Sequence, residues 1–78
     1  MLIFDSFPDK QKAKEFLVTS LQKFGYIGAG VVFDNWEDFD LFYAYPFELT
    51  FPVAVVFERS WEEQRNLAKS FGGRFAGI

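Results

Sequence analysis

The 78-residue chain contains neither cysteine nor histidine. Without them it has no disulfide, no thiol nucleophile, no imidazole base and none of the usual zinc ligands. Long apolar runs are also missing: no stretch approaches the roughly 18 residues of a membrane helix, and the N-terminal segment lacks the basic region of a signal peptide. We therefore expect one cytoplasmic domain over residues 1–78, with no enzymatic activity, no cofactor and no membrane contact.

The chain is rich in aromatic side chains and, in its middle third, in negative charge. Twelve Phe, three Tyr and two Trp make up 22% of the residues. Residues 34–63 carry eight acidic side chains and a single arginine, whereas the flanking segments sum to +1 and +3. Within this block, residues 34–51 hold five carboxylates, seven rings and no positive charge. Either this stretch is a partner-binding surface, or its acids only solubilise an aromatic segment that covers the sheet.

Two amphipathic helices are predicted, one near residues 7–24 and one near residues 60–71. In both, apolar side chains recur at spacings of three and four residues. Glycines stand where each helix should end, Gly25 for the first and Gly72-Gly73 for the second. The predicted start signals are two capping boxes, Ser6 with Asp9 and Ser60 with Glu63.

Four strands are predicted from apolar and β-branched runs. They are Leu2–Asp5, Tyr26–Asp34, Val53–Glu58 and the final segment "RFAGI" at residues 74–78. Gly28 and Gly30 in the second strand favour a bulge or a close packing contact over a phosphate loop. From Phe39 to Phe51 the apolar side chains alternate, which predicts an extended segment interrupted by Pro46 and Pro52.

The resulting order, strand-helix-strand, an acidic aromatic excursion, then strand-helix-strand, resembles that of ferredoxin-like domains, an α+β class. The resemblance covers nearly the whole chain but consists of element order alone. It implies a βαββαβ sandwich, in which two helices lie on one face of a four-stranded antiparallel sheet and strands one and three are central. The acidic aromatic stretch then becomes an extended β2–β3 connection. Because this fold hosts many unrelated functions, the function has to be argued from the surface.

Acidic and aromatic residues without catalytic groups favour a non-enzymatic protein-binding module, since rings anchor a partner and carboxylates steer a basic one. In size, acidity and lack of catalytic groups, the chain resembles small phage-borne inhibitors such as anti-CRISPR proteins. That resemblance implies a nucleic-acid-binding protein as partner, without direct contact to nucleic acid. No dedicated metal site is expected, because "DNWEDFD" has no glycine and places rings between its acids. The residues expected to bind the partner are Trp36, Glu37, Asp38, Asp40, Phe42 and Tyr43.

Three other functions stay open. RNA-recognition domains share the βαββαβ order, and "LIFDSFP" resembles their first-strand motif, which would give Ile3 or Phe4 a stacking role. The third strand "VAVVFERS" lacks their basic residue, however, and a net charge of −3 opposes phosphate binding. The surplus of rings also suits a homodimer with aromatics at a two-fold interface. A small-ligand or enzymatic domain would need a sheltered pocket with convergent polar groups.

Overall fold

A computed structural model describes residues 2–24, 30–40, 48–57 and 61–77. The side chains of Asp40 and Trp61 are outside this description. The elements are β1 (Leu2–Asp5), α1 (Lys10–Phe24), β2 (Gly30–Phe33), α2 (Trp36–Asp40), β3 (Val53–Val56), α3 (Trp61–Ser70) and β4 (Arg74–Gly77). The α+β class, the four strands and the two long helices are as predicted, whereas the short helix α2 was not predicted.

The four strands form one antiparallel sheet in the order β2-β3-β1-β4. The prediction that strands one and three are central is confirmed, and every residue of both is buried. In the register, Val55 pairs with Ile3 on one side and with Val31 on the other. A bulge between Ile3 and Phe4 shifts the pairing of β1 with β4.

Because side chains alternate along a strand, the sheet has two apolar faces, and each is covered differently. One face packs against α1 and α3, and we call it the helix-covered face; its buried cluster is Leu2, Phe4, Phe7, Ala13, Phe16, Ala54, Val56 and Ala68. The opposite face packs against α2 and against residues 48–51, which we call the strap. Its buried cluster is Ile3, Phe33, Phe39, Leu49, Val53 and Val55, and we call it the strap-covered face.

Helix α1 begins at Lys10, later than predicted, and Ser6 does not cap it. Asp9 is the cap, since its Oδ1 accepts a hydrogen bond from the Lys12 backbone N–H at 2.9 Å. Ser6 has a left-handed backbone with φ of 64°, and its hydroxyl donates to Asp5 Oδ1 at 3.2 Å. The prediction for Ser6 was therefore wrong, because its hydroxyl bonds to Asp5 and its backbone N–H donates to the Thr50 carbonyl.

Helix α3 ends as predicted at the glycine pair. The Gly72 N–H donates to the Lys69 carbonyl and the Gly73 N–H to the Ala68 carbonyl at 3.1 and 2.8 Å, with Gly72 at a φ of 84°. This is a Schellman motif, in which a left-handed residue closes the last turn. The predicted caps at Ser60 and Gly25 lie outside the described residues.

Close packing explains one of the two glycines of the second predicted strand. A Cβ on Gly30 would collide with the Leu17 side chain from α1. This glycine therefore lets α1 approach the sheet, as the packing alternative predicted, while Gly28 is not among the described residues.

Candidate protein-binding surface

Helix α2 is a five-residue helix that begins directly after its capping residue. The Asn35 Oδ1 accepts a hydrogen bond from the Asp38 N–H at 2.9 Å, and the Asn35 Nδ2 donates to Asp38 Oδ2 at 3.3 Å. Glu37 and Asp38 lie in the first turn, where negative charge complements the helix dipole. The prediction of extended chain from Phe39 was therefore wrong for Phe39 and Asp40. The spacing of Asn35 and Asp38 is the signal that would have indicated a helix start.

Aromatic side chains seat α2 on the sheet. The ring of Phe39 is fully buried and packs edge-on against Phe33 and Trp36, with centroids 5.7 and 5.5 Å apart. Phe51 of the strap packs edge-on against Trp36 at 5.2 Å and against Phe39 at 6.2 Å. These edge-to-face contacts fix the orientation of Trp36 from two sides.

The structure places three of the six predicted binding residues together on the outside of α2. The side chain of Trp36 remains 37% exposed, and Glu37 and Asp38 are both exposed. Asp40 ends the same helix. Phe42 and Tyr43 lie outside the described residues, so their predicted roles remain predictions.

Each of the two interpretations of residues 34–51 fits some of the described residues. Phe39 and Leu49 are buried and Phe51 is half-buried, so these three residues cover the sheet and do not present a free surface. Trp36, Glu37 and Asp38 remain accessible. Where the structure describes this stretch, its inner side is thus a cover and its outer side is an acidic, aromatic surface.

The charges around α2 are unequally compensated. Asp34 forms an ion pair with Lys10 of α1, with 2.7 Å between the carboxylate oxygen and Nζ. Across the described ranges, Glu37, Asp38 and Glu48 form no ion pair. Their negative potential is therefore directed at solvent, where it acts on an approaching charge.

A buried carboxylate that the sequence patterns did not single out anchors the strap. Asp5 is fully buried and accepts bonds from Arg74 Nε and Nη2 at 3.0 and 2.9 Å, from the Thr50 N–H at 3.1 Å, and from the Ser6 hydroxyl. Burial acts to raise the pKa of Asp5, but the Arg74 guanidinium and the other donors outweigh burial and hold that pKa below its ordinary value. The available signal was an acidic residue that ends an otherwise apolar strand.

The positions that the other functions would use are arranged less favourably. Ile3 and Phe4 are fully buried, so neither side chain is accessible for stacking on an RNA base. A groove of about 480 Å³ runs along α1 beside Phe71, lined by Gln11, Lys14, Glu15, Val18 and Thr19. The side chains that line it are exposed or half-buried, so this groove is not a sheltered pocket.

Two further features of the described part of the chain bear on function. None of its helices combines the length and the apolar character that a membrane span requires. No three of its acidic side chains are grouped as ligands for a metal ion.

Comparison with known proteins adds no relative to these observations. No protein-family model, curated protein or solved structure matches the chain.

Proposed function

We propose that the chain is a cytoplasmic, non-enzymatic protein-binding module that binds a basic partner through the outer face of α2. The observation that carries this proposal is the placement of a 37% exposed Trp36 beside the exposed Glu37 and Asp38 on one short helix. We also propose a ferredoxin-like topology. It is supported by the sheet order β2-β3-β1-β4 and by the packing of α1 and α3 against the same buried cluster.

The rigidity of Trp36 and the charge beside it support binding of a basic partner. Trp36 is held edge-on by Phe39 and Phe51, so little side-chain freedom is lost when a partner covers it. An indole of this kind attracts an arginine or lysine through its ring face. The neighbouring carboxylates steer such a partner and pair with its charges.

The basic partner is proposed to be a nucleic-acid-binding protein, as for an inhibitor of the anti-CRISPR type. Spaced carboxylates on a rigid surface can occupy the positions where such a protein binds phosphates. The same carboxylates disfavour direct contact of this chain with nucleic acid, since most nucleic-acid affinity comes from pairing cations with phosphates.

The test uses two charge reversals that change the net charge equally. In the first, Glu37 and Asp38 become Lys. In the matched control, Glu62 and Glu63 become Lys; these are two exposed acids in the first turn of α3. Both pairs occupy a helix start, so the cost in helix dipole energy is similar. Quantitative affinity capture from the host lysate identifies a basic protein retained by the unmodified chain, and calorimetry with that purified protein then measures the affinity.

We expect the Glu37/Asp38 variant to bind at least about tenfold more weakly and the Glu62/Glu63 variant to bind nearly normally. The affinity of the unmodified chain should fall between about 0.05 and 0.5 M salt, because ions screen exposed charges. Equal loss in both variants would show that net charge alone matters and would contradict a site on α2. Light scattering and titration with labelled single-stranded RNA test the homodimer and RNA alternatives on the same samples.

A further inference from the structure

The strap is fixed to the end of β1 through the backbone of one residue. The Thr50 N–H donates to Asp5 Oδ2 at 3.1 Å, and the Thr50 carbonyl accepts from the Ser6 N–H at 2.8 Å. Both backbone polar groups of Thr50 are therefore satisfied by two adjacent residues of the chain. Loss of either bond leaves a backbone group of the strap to be solvated again.

On either side of Thr50 the strap carries apolar side chains that join α2 to the sheet. Leu49 is only 8% exposed and lies in the same buried cluster as Ile3, Val55 and Phe39. Phe51 packs against this cluster and against both rings of α2. Movement of the strap would remove the support on one side of α2.

Asp5 connects the strap to the edge strand β4. Its carboxylate is buried, while the Arg74 side chain that pairs with it from β4 is 65% exposed. Among the described residues, Arg74 is the one charged group in contact with Asp5, and the strap and the residue after β1 contribute only the Thr50 N–H and the Ser6 hydroxyl. If the carboxylate becomes an amide, one oxygen has to serve the donors that two oxygens serve now, so the bond from the Thr50 N–H is weakened.

The backbone of Ser6 makes these bonds mutually dependent. A non-glycine residue in the left-handed region is strained and persists only where its surroundings hold it. At Ser6, with φ of 64°, those surroundings are the Thr50 carbonyl and the Asp5 carboxylate. Once the bond to Thr50 breaks, Ser6 is free to relax, and the remaining bonds are weakened.

We propose that the strap and α2 form a lid that opens as one unit from the strap-covered face, and that the Asp5–Arg74 pair is the latch that holds it closed. Opening exposes Ile3, Phe33, Val53 and Val55, while the cluster beneath α1 and α3 stays packed. The inference goes beyond the proposed function and does not depend on any partner.

Hydrogen exchange, measured residue by residue by NMR, tests the proposal. The Thr50 N–H reports the latch, the Phe39 N–H, which donates to the Asn35 carbonyl, reports α2, and the N–H groups of Ala13 and Phe16 report the helix-covered face. The latch variants are Asp5→Asn, which removes the charge, and Arg74→Lys, which keeps the charge but loses the two-pronged geometry. The control is Ser20→Ala, which breaks the buried bond from the Ser20 hydroxyl to Gln64 Oε1 between α1 and α3.

We expect Asp5→Asn to lower protection of Thr50 and Phe39 at least about tenfold and that of Ala13 and Phe16 less than about threefold. Arg74→Lys should show the same pattern more weakly. If Asp5→Asn does not fold, Arg74→Lys provides the test. Ser20→Ala should produce no selective loss at Thr50. A uniform loss of protection in both latch variants, or a loss at Thr50 without one at Phe39, would overturn the proposal.

Discussion

The two faces of the sheet are buried by different means. The helix-covered face lies beneath a 15-residue and a 10-residue helix, whose regular apolar stripes meet Leu2, Phe4, Ala54 and Val56. The strap-covered face lies beneath a five-residue helix and the strap, which attach through individual rings and one buried carboxylate. Long helices gain stability along their whole length, whereas the described part of the second cover is held by a few individual contacts.

The presence of a buried cluster on each face of the sheet explains part of the high aromatic content. On the helix-covered face the ring of Phe16 packs against Phe4 and Phe7 at 5.0 and 5.5 Å. On the other face Phe39 contacts Phe33 and Phe51. Both sides of a thin sheet need covering, so a small domain can bury many rings without an interface. Ring content alone is therefore weaker support for a homodimer than the sequence indicated.

The largest expected effect comes from a matched pair of truncations, Phe16→Ala and Phe39→Ala. Both rings are fully buried, but they lie on opposite faces. Phe16→Ala should lower the free energy of unfolding by about 3–5 kcal/mol, because its cavity lies between long helices and the sheet. Phe39→Ala should cost less, about 2 kcal/mol, since α2 can detach instead of enclosing a cavity.

Denaturant unfolding followed by circular dichroism measures both losses, and dye binding to exposed apolar surface measures detachment. The dye should bind the Phe39→Ala variant under native conditions and not the Phe16→Ala variant. Equal losses of stability, without dye binding, would mean that the two covers are equally integral to the fold.

The sequence predicted the first cover far better than the second, for a physical reason. Helices α1 and α3 bury an apolar stripe, and a stripe leaves a period in the sequence. Helix α2 is too short to show a period, and the alternation that begins at Phe39 indicated extended chain. Phe39 faces the core because Asn35 caps a single helical turn, which is a contact between two residues. The Asp5 latch likewise depends on Arg74 and Thr50, which are distant in sequence and meet only in the folded sheet.

A smaller effect, about 2–3 kcal/mol at neutral pH, is expected for Asp5→Asn, because one amide oxygen replaces the two charged oxygens that accept from Arg74, Thr50 and Ser6. Because burial is outweighed by the Arg74 and Thr50 hydrogen bonds, the pKa of Asp5 in the folded chain lies below its ordinary value of 3.8. The unfolded chain therefore takes up the proton first. The stabilisation is complete above about pH 5 and is lost as the pH falls through about 4 and below.

Urea midpoints of the unmodified chain and of Asp5→Asn, measured from about pH 7 to pH 3, check the sign. The gap between the two proteins should narrow on acidification. A constant gap would mean that the carboxylate charge contributes nothing and that Asp5 acts only through its shape.

An effect of about 2 kcal/mol is expected for Gly73→Ala, at the end of the helix-covered face. A Cβ there would lie 2.5 Å from the ring of Phe7, which is buried in that cluster. The ring has to shift within a close-packed core. Thermal unfolding measures the loss, and the double variant with Phe7→Leu should recover part of it, because the smaller side chain yields. A double variant whose losses simply add would show that the ring is not the obstacle.

The smallest effects are expected for the helix caps, and they compare the stability of the two covers most directly. Asp9→Ala removes the acceptor of the Lys12 N–H in α1 and should lower the global free energy of unfolding by about 1 kcal/mol. Asn35→Ala removes the matching acceptor of the Asp38 N–H in α2. If the lid opens separately, the midpoint of global unfolding barely changes in that variant, while protection of the Phe39 amide falls about fivefold or more.

Ser6→Ala, which the capping-box pattern predicted to cost as much as a cap, should cost less than Asp9→Ala, because its hydroxyl makes one 3.2 Å bond to Asp5 and none to the helix. Calorimetry and amide exchange on the three single variants provide the comparison. A global loss of equal size for Asp9→Ala and Asn35→Ala would show that α2 unfolds only with the whole domain, and the contrast between the two faces would then be one of shape and not of stability.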